Sequence, residues 1–288
     1  MKFIVLGANG QLGSELKEKA QHYSEHHFLF SDIEEVDITE SSDIEEYIQN
    51  NPCDVVINAA AYTAVDKAET EKEKALAINV SAVNNLALLS KKYRFFLIHI
   101  STDYVFDGKA YLPYKENDTT HPLSVYGETK LQGESALQNT LTRGAIVRTS
   151  WLYSSYGNNF LKTIMRLSKE RSLINVVFDQ IGTPTYAADL AEAVLTIGIQ
   201  NHLVKNLEIY HYSNEGVASW YDFAHEILRL TQSQTTIIPI ESKDFPTPAK
   251  RPFYSVLNKS KIKKDFNITI PHWKESLILC LNKLTTKD

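Results

Sequence analysis

Cysteine is nearly absent from this chain: Cys53 and Cys280 are the only 2 in 288 residues. They form no Cys-x-x-Cys pair and stand near no histidine cluster, so neither a disulfide framework nor a thiolate metal site organises the fold. An excess of charge is missing too. The 30 basic residues are balanced by 35 acidic ones, and without a basic block there is no sign of a nucleic-acid surface. No apolar run approaches the roughly 18 residues of a membrane helix. The first residues read as a core strand rather than a charged segment leading to an apolar signal core. Internal repeats and low-complexity tracts are absent, and residues 23–27, with two histidines, suit a solvated turn better than a metal site. These absences leave a cytoplasmic protein without membrane or nucleic-acid partners. Its length allows a large nucleotide-binding unit with a smaller appended region.

What is present begins at the N-terminus. Lys2 to Leu6 is a short apolar run of buried-strand type, followed by Gly7, Gly10 and Gly13 and then a helical pattern over 14–20. Strand, glycine turn and helix in this order let a pyrophosphate approach the helix N-terminus. A second strand over 27–31 ends at Asp32, where a nucleotide-binding sheet places an acid against the adenosine ribose. Such an acid leans toward NADH over NADPH, although the same carboxylate can simply cap the next turn. Asp37 to Thr39 can cap a helix over 41–48. Residues 54–61 read as a buried parallel strand ending in Ala59, Ala60 and Ala61, whose small side chains either admit a flat ligand to the backbone or pack closely.

Tyr126 and Lys130 stand four residues apart, after a strand-like run over 95–100 that ends in Ser101, Thr102 and Asp103. On a helix the two side chains share a face, so the ammonium lies beside the phenol and favours its ionised form. The tyrosine becomes a usable acid for a carbonyl oxygen while a nicotinamide delivers hydride, and a hydroxyl from Thr102 or Ser101 can orient that carbonyl. With 15 tyrosines in the chain, chance copies of the spacing are expected. Tyr111 and Lys115 form one, but Pro113 lies between them and disfavours a helix.

Strands and helices alternate through Arg148, with residues 144–148 taken as the sixth strand, which indicates an α/β fold with a doubly wound parallel sheet. That strand leads to Trp151, which can wall a substrate cleft or plug the space between regions. Residues 103–126 form a long irregular connection carrying Gly108, Pro113 and Pro122. A helix over 159–168 and another over 189–195 follow. The expected division is a dinucleotide-binding domain over about 1–150, rejoined by about 185–215, and a discontinuous substrate-binding region over 151–184 and 216–288. Three prolines around Arg251 make a rigid loop that keeps a guanidinium available to a phosphate, unless this is an ordinary exposed arginine.

The glycine spacing and the Tyr/Lys pair resemble the extended short-chain dehydrogenase/reductase superfamily. Narrower segments over 58–69, 101–108, 126–131, 148–151 and 246–252 resemble dTDP-4-dehydrorhamnose reductase along nearly the whole chain. The resemblance implies a Rossmann-like fold, NADPH or NADH as cofactor and a dTDP-sugar as substrate. The implied reaction reduces the C4 ketone of dTDP-4-dehydro-β-L-rhamnose, the last step of dTDP-rhamnose biosynthesis, ahead of polysaccharide formation. It puts Thr102, Tyr126 and Lys130 on catalytic positions. Gly7, Gly10, Gln11, Leu12, Gly13, Asp32, Asp37, Ile38, Ala59, Ala60 and Ala61 fall on cofactor positions, with Tyr126 and Lys130 also touching the cofactor. Thr102, Asp103, Tyr104, Trp151 and Arg251 fall on the substrate side.

Some relatives hold Mg²⁺ between two subunits through acidic residues. Here Glu15 is a weak metal candidate and the last carboxylates are Asp288 and the chain end, so the expectation is no metal and a monomer or homodimer. Competing readings are a nucleotide-sugar epimerase or dehydratase, and a non-catalytic regulatory subunit of methionine adenosyltransferase.

Overall fold

The computed structural model describes residues 1–285; Asp288, weighed above as a metal ligand, lies outside them. Its central sheet holds β1 (Lys2–Leu6), β2 (His27–Ser31), β3 (Val55–Asn58), β4 (Phe96–Thr102), β5 (Gly144–Thr149) and β6 (Leu207–Tyr212). They lie in the order β2-β1-β3-β4-β5-β6, every neighbour parallel. The longer helices are α1 (Gln11–Lys19), α2 (Ser41–Asn50), α3 (Ala82–Tyr93), α4 (Val125–Thr140), α5 (Phe160–Glu170), α6 (Ala187–Ile199), α7 (Trp220–Leu230) and α8 (Trp273–Thr285).

Helices cover both faces of the sheet, which is why its central strands read as continuous apolar runs rather than alternating ones. In β1, Phe3 and Val5 enter a core with Leu12 and Leu16 of α1 and the apolar residues of α6. Ile4 and Leu6 point the other way, into a core with Ile44 of α2, Leu86 of α3 and Leu137 of α4. The remainder of the chain has a third core, in which Leu161 and Ile164 of α5, Phe223 and Ile227 of α7, and Trp273 and Leu277 of α8 pack on Tyr153. After this excursion begins, α6 and β6 bring the chain back to the sheet, and it then leaves again.

The strand over 144–149 is the fifth of the central sheet in chain order, not the sixth, and the sixth is Leu207–Tyr212. Between β4 and α4 no further strand forms: the prolines and Gly108 leave an irregular path with one short 3-10 turn and a single bridge from Tyr114 to Leu257. The helix around Asn79 also departs from a plain α-helix. Residues Ala77–Ser81 form a π turn, and the buried Asn79 side chain there bonds both the N–H and the C=O of Tyr62, at 2.9 and 3.2 Å. An extra residue in the turn thus supplies the partners that a buried loop needs.

The sheet order reverses beside β1. From β1 the chain goes to β2 on one side, while β3 lies on the other, so the connections diverge and leave a crevice beyond the strands' carboxyl ends. Everything described next lies along that edge.

Candidate active site

At one end of the crevice the wall is mostly backbone. Gly7 has φ of +80°, and a Cβ there would come within 2.6 Å of Ala60 N; at Gly13 it would come within 2.2 Å of the Gly7 carbonyl oxygen. Neither position tolerates a side chain. The turn therefore brings α1 in tightly, and α1 begins at Gly10 with no side chain capping its first N–H groups. Those amides and the positive end of the helix dipole suit an anion such as a pyrophosphate. A cleft of about 410 Å³ opens here, lined by Gly7, Gly10, Asp32, Asp37, Ile38 and Ala59 to Ala61, with Lys74 at its edge. Asp32 is tied down: its carboxylate accepts from Asn9 N at 2.7 Å and from Ile33 N at 2.9 Å. The turn-capping reading is realised, and the residue still borders the cleft. Asp37 does not cap α2. It accepts from Thr39 N and Thr39 Oγ1 at 2.9 and 2.7 Å, because a tight turn at 37–39 lies closer than the helix start at Glu40.

The crevice continues, past Gly10, Ala59 and Ala61, into a second space of about 540 Å³. This space is lined by Gln11, Leu12, Thr102, Asp103, Tyr104, Tyr126, Lys130 and Trp151. Ser124 caps α4 by accepting from Gly127 N at 3.2 Å, and Glu69 Oε1 accepts from Val125 N at 2.9 Å. These contacts start the helix immediately before Tyr126 and place Lys130 one turn on. The other Tyr/Lys spacing lies elsewhere: Tyr111 is 88% exposed in the irregular loop.

The electrostatics of the pair differ from the sequence expectation. Lys130 is buried and turns its Nζ to the Ile100 carbonyl at 2.7 Å and to His99 Nε2 at 3.2 Å. Burial brings its pKa down to about 8, opposed by the charge of Glu134. The Tyr126 phenol is pushed up to about 12 by burial, with a Thr102 hydrogen bond lowering it and the Asp103 charge raising it further. Lys130 is not among the groups that act on the phenol, because its head is drawn back under β4. In this arrangement Tyr126 is a protonated phenol, partly open to the cleft. Tyr104 meets it edge to face at 5.5 Å.

Asp103 is 2% exposed. Its pKa rises to about 6 through burial, while hydrogen bonding by Ser255 and Thr102 lowers it. Thr102 Oγ1 donates to its Oδ1 at 3.1 Å, whereas neither Oδ2 nor Ser255 Oγ makes a hydrogen bond of good geometry. The residue lines the space, but its Oδ2 is a buried acceptor left without a partner.

Arg251 does not line this space. Its guanidinium is held by Asp66, with Nη2 to Oδ2 at 2.7 Å and Nη1 to Oδ1 at 3.1 Å. The guanidinium is engaged by a nearby carboxylate rather than left available. That bond is also the main reason Asp66 titrates below the usual carboxylate range. The candidate metal ligand Glu15 is buried, bonded to Ser154 and paired with Lys283 Nζ at 2.6 Å. No group of three or more potential metal-ligating side chains occurs among the described residues.

Trp220 escaped the sequence reading. It is the first residue of α7, and its indole stacks on that of Trp151 at 3.7 Å and 7° to wall the far end. Trp151 has φ of +47°, an unusual backbone for a bulky residue. The available signal was Ser219 and Asp222, a reciprocal cap that fixes a helix start at Trp220.

Comparison with known proteins follows the same lines. The family model described as RmlD substrate binding domain matches residues 1–286. A dTDP-4-dehydrorhamnose reductase of Aggregatibacter actinomycetemcomitans is 40% identical over 285 residues, covering 96% of this chain and 97% of the relative. The crystal structure of a dTDP-4-dehydrorhamnose reductase from Clostridium acetobutylicum superposes with a TM-score of 0.94 at 40% identity, over 99% of this chain and 100% of that one. A dTDP-4-dehydrorhamnose reductase from Bacillus anthracis, solved in complex with NADP, gives 0.93 at 37% identity, over 98% and 99%.

Proposed function

The chain belongs to the dTDP-4-dehydrorhamnose reductase family, and from that membership we infer its reaction: reduction of the C4 ketone of dTDP-4-dehydro-β-L-rhamnose to dTDP-β-L-rhamnose. It is an oxidoreductase of dTDP-rhamnose biosynthesis. The observation that carries the site assignment is that Thr102, Tyr126, Lys130 and Trp151 border one space continuous with the glycine cradle. The cradle fits a nicotinamide dinucleotide, since side chains at Gly7 or Gly13 would occupy the backbone it needs. Gly10 to Gly13 would hold the pyrophosphate and Asp32 the adenosine ribose. When bound, the cofactor supplies hydride.

The chain's own residues do the rest. Tyr126 holds a proton at neutral pH and gives it from its hydroxyl to the sugar oxygen as that oxygen gains charge. Thr102, which lines the same space as the phenol, orients the carbonyl, and Asp103 is held beside it by accepting from Thr102 Oγ1. Lys130 lies behind the pair, and with its head turned from Ile100 O toward the phenol its charge would support the phenolate left after transfer. The Trp151 and Trp220 indoles exclude water from the sugar. We assign residues 1–150 with 187–212 to the cofactor domain and the rest to the substrate region, whose separate core supports the division. Two free cysteines fit a cytoplasmic setting, and among the described residues no helix is long and apolar enough to cross a membrane.

The test is absorbance at the reduced-nicotinamide band with NADH or NADPH and enzymatically prepared substrate. The expected result is stoichiometric cofactor oxidation. Sugar conversion with NAD retained and regenerated in the protein would instead support an epimerase, and failure with both cofactors would end the reductase reading.

A further inference from the structure

Behind the reacting pair, a hydrogen-bonded file of polar groups crosses the sheet edge from β3 to α4. Asn58, His99 and Lys130 are each no more than 1% exposed. Asn58 Oδ1 accepts from Ala60 N at 3.2 Å, Asn58 Nδ2 faces His99 Nδ1 at 3.2 Å, and His99 Nε2 faces Lys130 Nζ at 3.2 Å. The polarity of this file follows from its first member. A backbone N–H only donates, so the amide atom it meets is the oxygen and the atom turned to His99 is the NH₂. His99 Nδ1 must then accept. A neutral imidazole has one N–H, which this puts on Nε2, pointing at Lys130. Nζ receives that N–H only with its lone pair free, while donating one of its own hydrogens to Ile100 O.

We propose that His99 is a positioning residue for Lys130: held in its Nε2–H tautomer by Asn58, it makes the neutral amine the form of Lys130 that completes the file and ties proton uptake there to loss of one hydrogen bond. Uptake of a proton from solvent fills the lone pair and brings two donors face to face, so the arrangement lowers the proton affinity of Lys130. The charge that supports the Tyr126 phenolate thereby becomes switchable in the working pH range.

The groups facing this lysine act in both directions. On its own helix stand Tyr126 and Glu134, and the Glu134 charge favours the ammonium. Glu134 is in turn paired from β5 with Arg148 at 2.7 Å and accepts from Ser101 of β4, so much of its negative charge is already answered. From β4 come His99 and, beyond Thr102, Asp103; β3 contributes only the neutral Asn58. His99 itself is driven to the neutral form by burial, and further by the Lys130 charge whenever that lysine is protonated.

The decisive experiment is NMR of the free protein. The ¹⁵N shifts of His99 give the tautomer, and the ¹³Cε shift of Lys130 gives its titration midpoint, in wild type, Asn58→Asp and His99→Gln. An aspartate at 58 accepts from Nδ1–H, reverses the file and turns the Nε2 lone pair to an ammonium. The proposal requires Nε2–H in wild type, Nδ1–H in Asn58→Asp, and an upward shift of the Lys130 midpoint by at least about one pH unit in that variant. His99→Gln, whose amide oxygen can face the ammonium, shifts it the same way. A wild-type Nδ1–H tautomer, or an unmoved midpoint in Asn58→Asp, overturns it. These readouts need no turnover, so they stand apart from the reductase reading. The catalytic consequence rests on that reading: the alkaline limb of kcat/KM rises with the NMR midpoint, and a limb fixed while the midpoint moves rejects the catalytic role.

Discussion

The two ends of the crevice are made of different material. At the nucleotide end the wall is backbone and small side chains, Gly7, Gly10, Gly13 and Ala59 to Ala61, contributed by stretches that run directly off β1 and β3. At the reacting end it is polar side chains from β4, α4 and β5, with Asp103 and Lys130 buried and displaced in proton affinity. A buried bidentate pair, Arg148 with Glu134, lies underneath. Each kind of wall fails in its own way. The first is a matter of space, and an added methyl group breaks it. The second holds groups away from water at a cost in folding stability, and relief of that cost removes the chemistry.

The sharpest way to break the contrast is to add one carbon at the nucleotide end. Gly13→Ala sets a Cβ within 2.2 Å of the Gly7 carbonyl oxygen, so the turn must open. The expected result is loss of NADH and NADPH binding by at least about a hundredfold, on the scale of a core overpacking penalty of roughly 1–3 kcal/mol plus lost amide contacts. Calorimetric titration checks it. Affinity within a few-fold of wild type would show that backbone proximity does not govern this end.

The converse change removes one oxygen at the reacting end. Tyr126→Phe is expected to lower kcat by about a hundredfold or more, the usual scale for a general acid, with cofactor affinity little changed. Lys130→Met should lower both, since this lysine borders the cofactor side as well as the phenol. Single-turnover rates beside cofactor titrations separate these outcomes, and near-normal turnover in Tyr126→Phe would remove the residue from its role.

The same contrast explains what could be read from the sequence. The nucleotide end was legible because its residues are consecutive and its demand is local: a strand, a turn that only glycine allows, and a helix start. Tyr126 and Lys130 were legible because helix geometry relates residues four apart. What surrounds Lys130 was not. His99 and Asn58 meet it through strand order, and the draw of its head toward Ile100 O depends on which carbonyl is free at the sheet edge. The pairing of Arg251 was not legible for a related reason. Its partner Asp66 stands 185 positions away in the chain, a distance that no local pattern reports. Trp220 is likewise a tertiary neighbour of Trp151.

Asp103 gives a test of the cost borne at the reacting end. An unfolded carboxyl titrates near about 3.9, and the folded one near about 6. Between these values the native state keeps a proton that the unfolded state has released. The unfolded state binds fewer protons there, so stability falls as pH rises through this window, and the loss is complete above it. Its size is on the order of 3 kcal/mol, the gap between the two titration midpoints expressed as free energy. Asp103→Asn should therefore be more stable than wild type at pH 7 and about equal near pH 4, while turning over poorly. Urea unfolding across pH 4 to 7 reads this directly, and parallel curves for the two proteins would contradict it.

The smallest expected effect returns to the nucleotide end, where charge rather than space is at issue. Asp32 borders the cleft with its carboxylate fixed by two backbone N–H groups. A 2′-phosphate there would meet a like charge held in place, partly offset by Lys74, which lines the same cleft. Asp32→Ala removes the repulsion and frees the Asn9 N–H to donate to a phosphate oxygen. Both changes favour NADPH, and screening at an open site keeps the gain modest, on the order of tenfold in the NADPH to NADH ratio of kcat/KM. The gain should shrink in high salt, because an exposed charge is the cause. A ratio unchanged in Asp32→Ala, or a change that salt leaves intact, would mean that fit to the ribose rather than repulsion sets cofactor choice, and the nucleotide end would then be governed by space throughout.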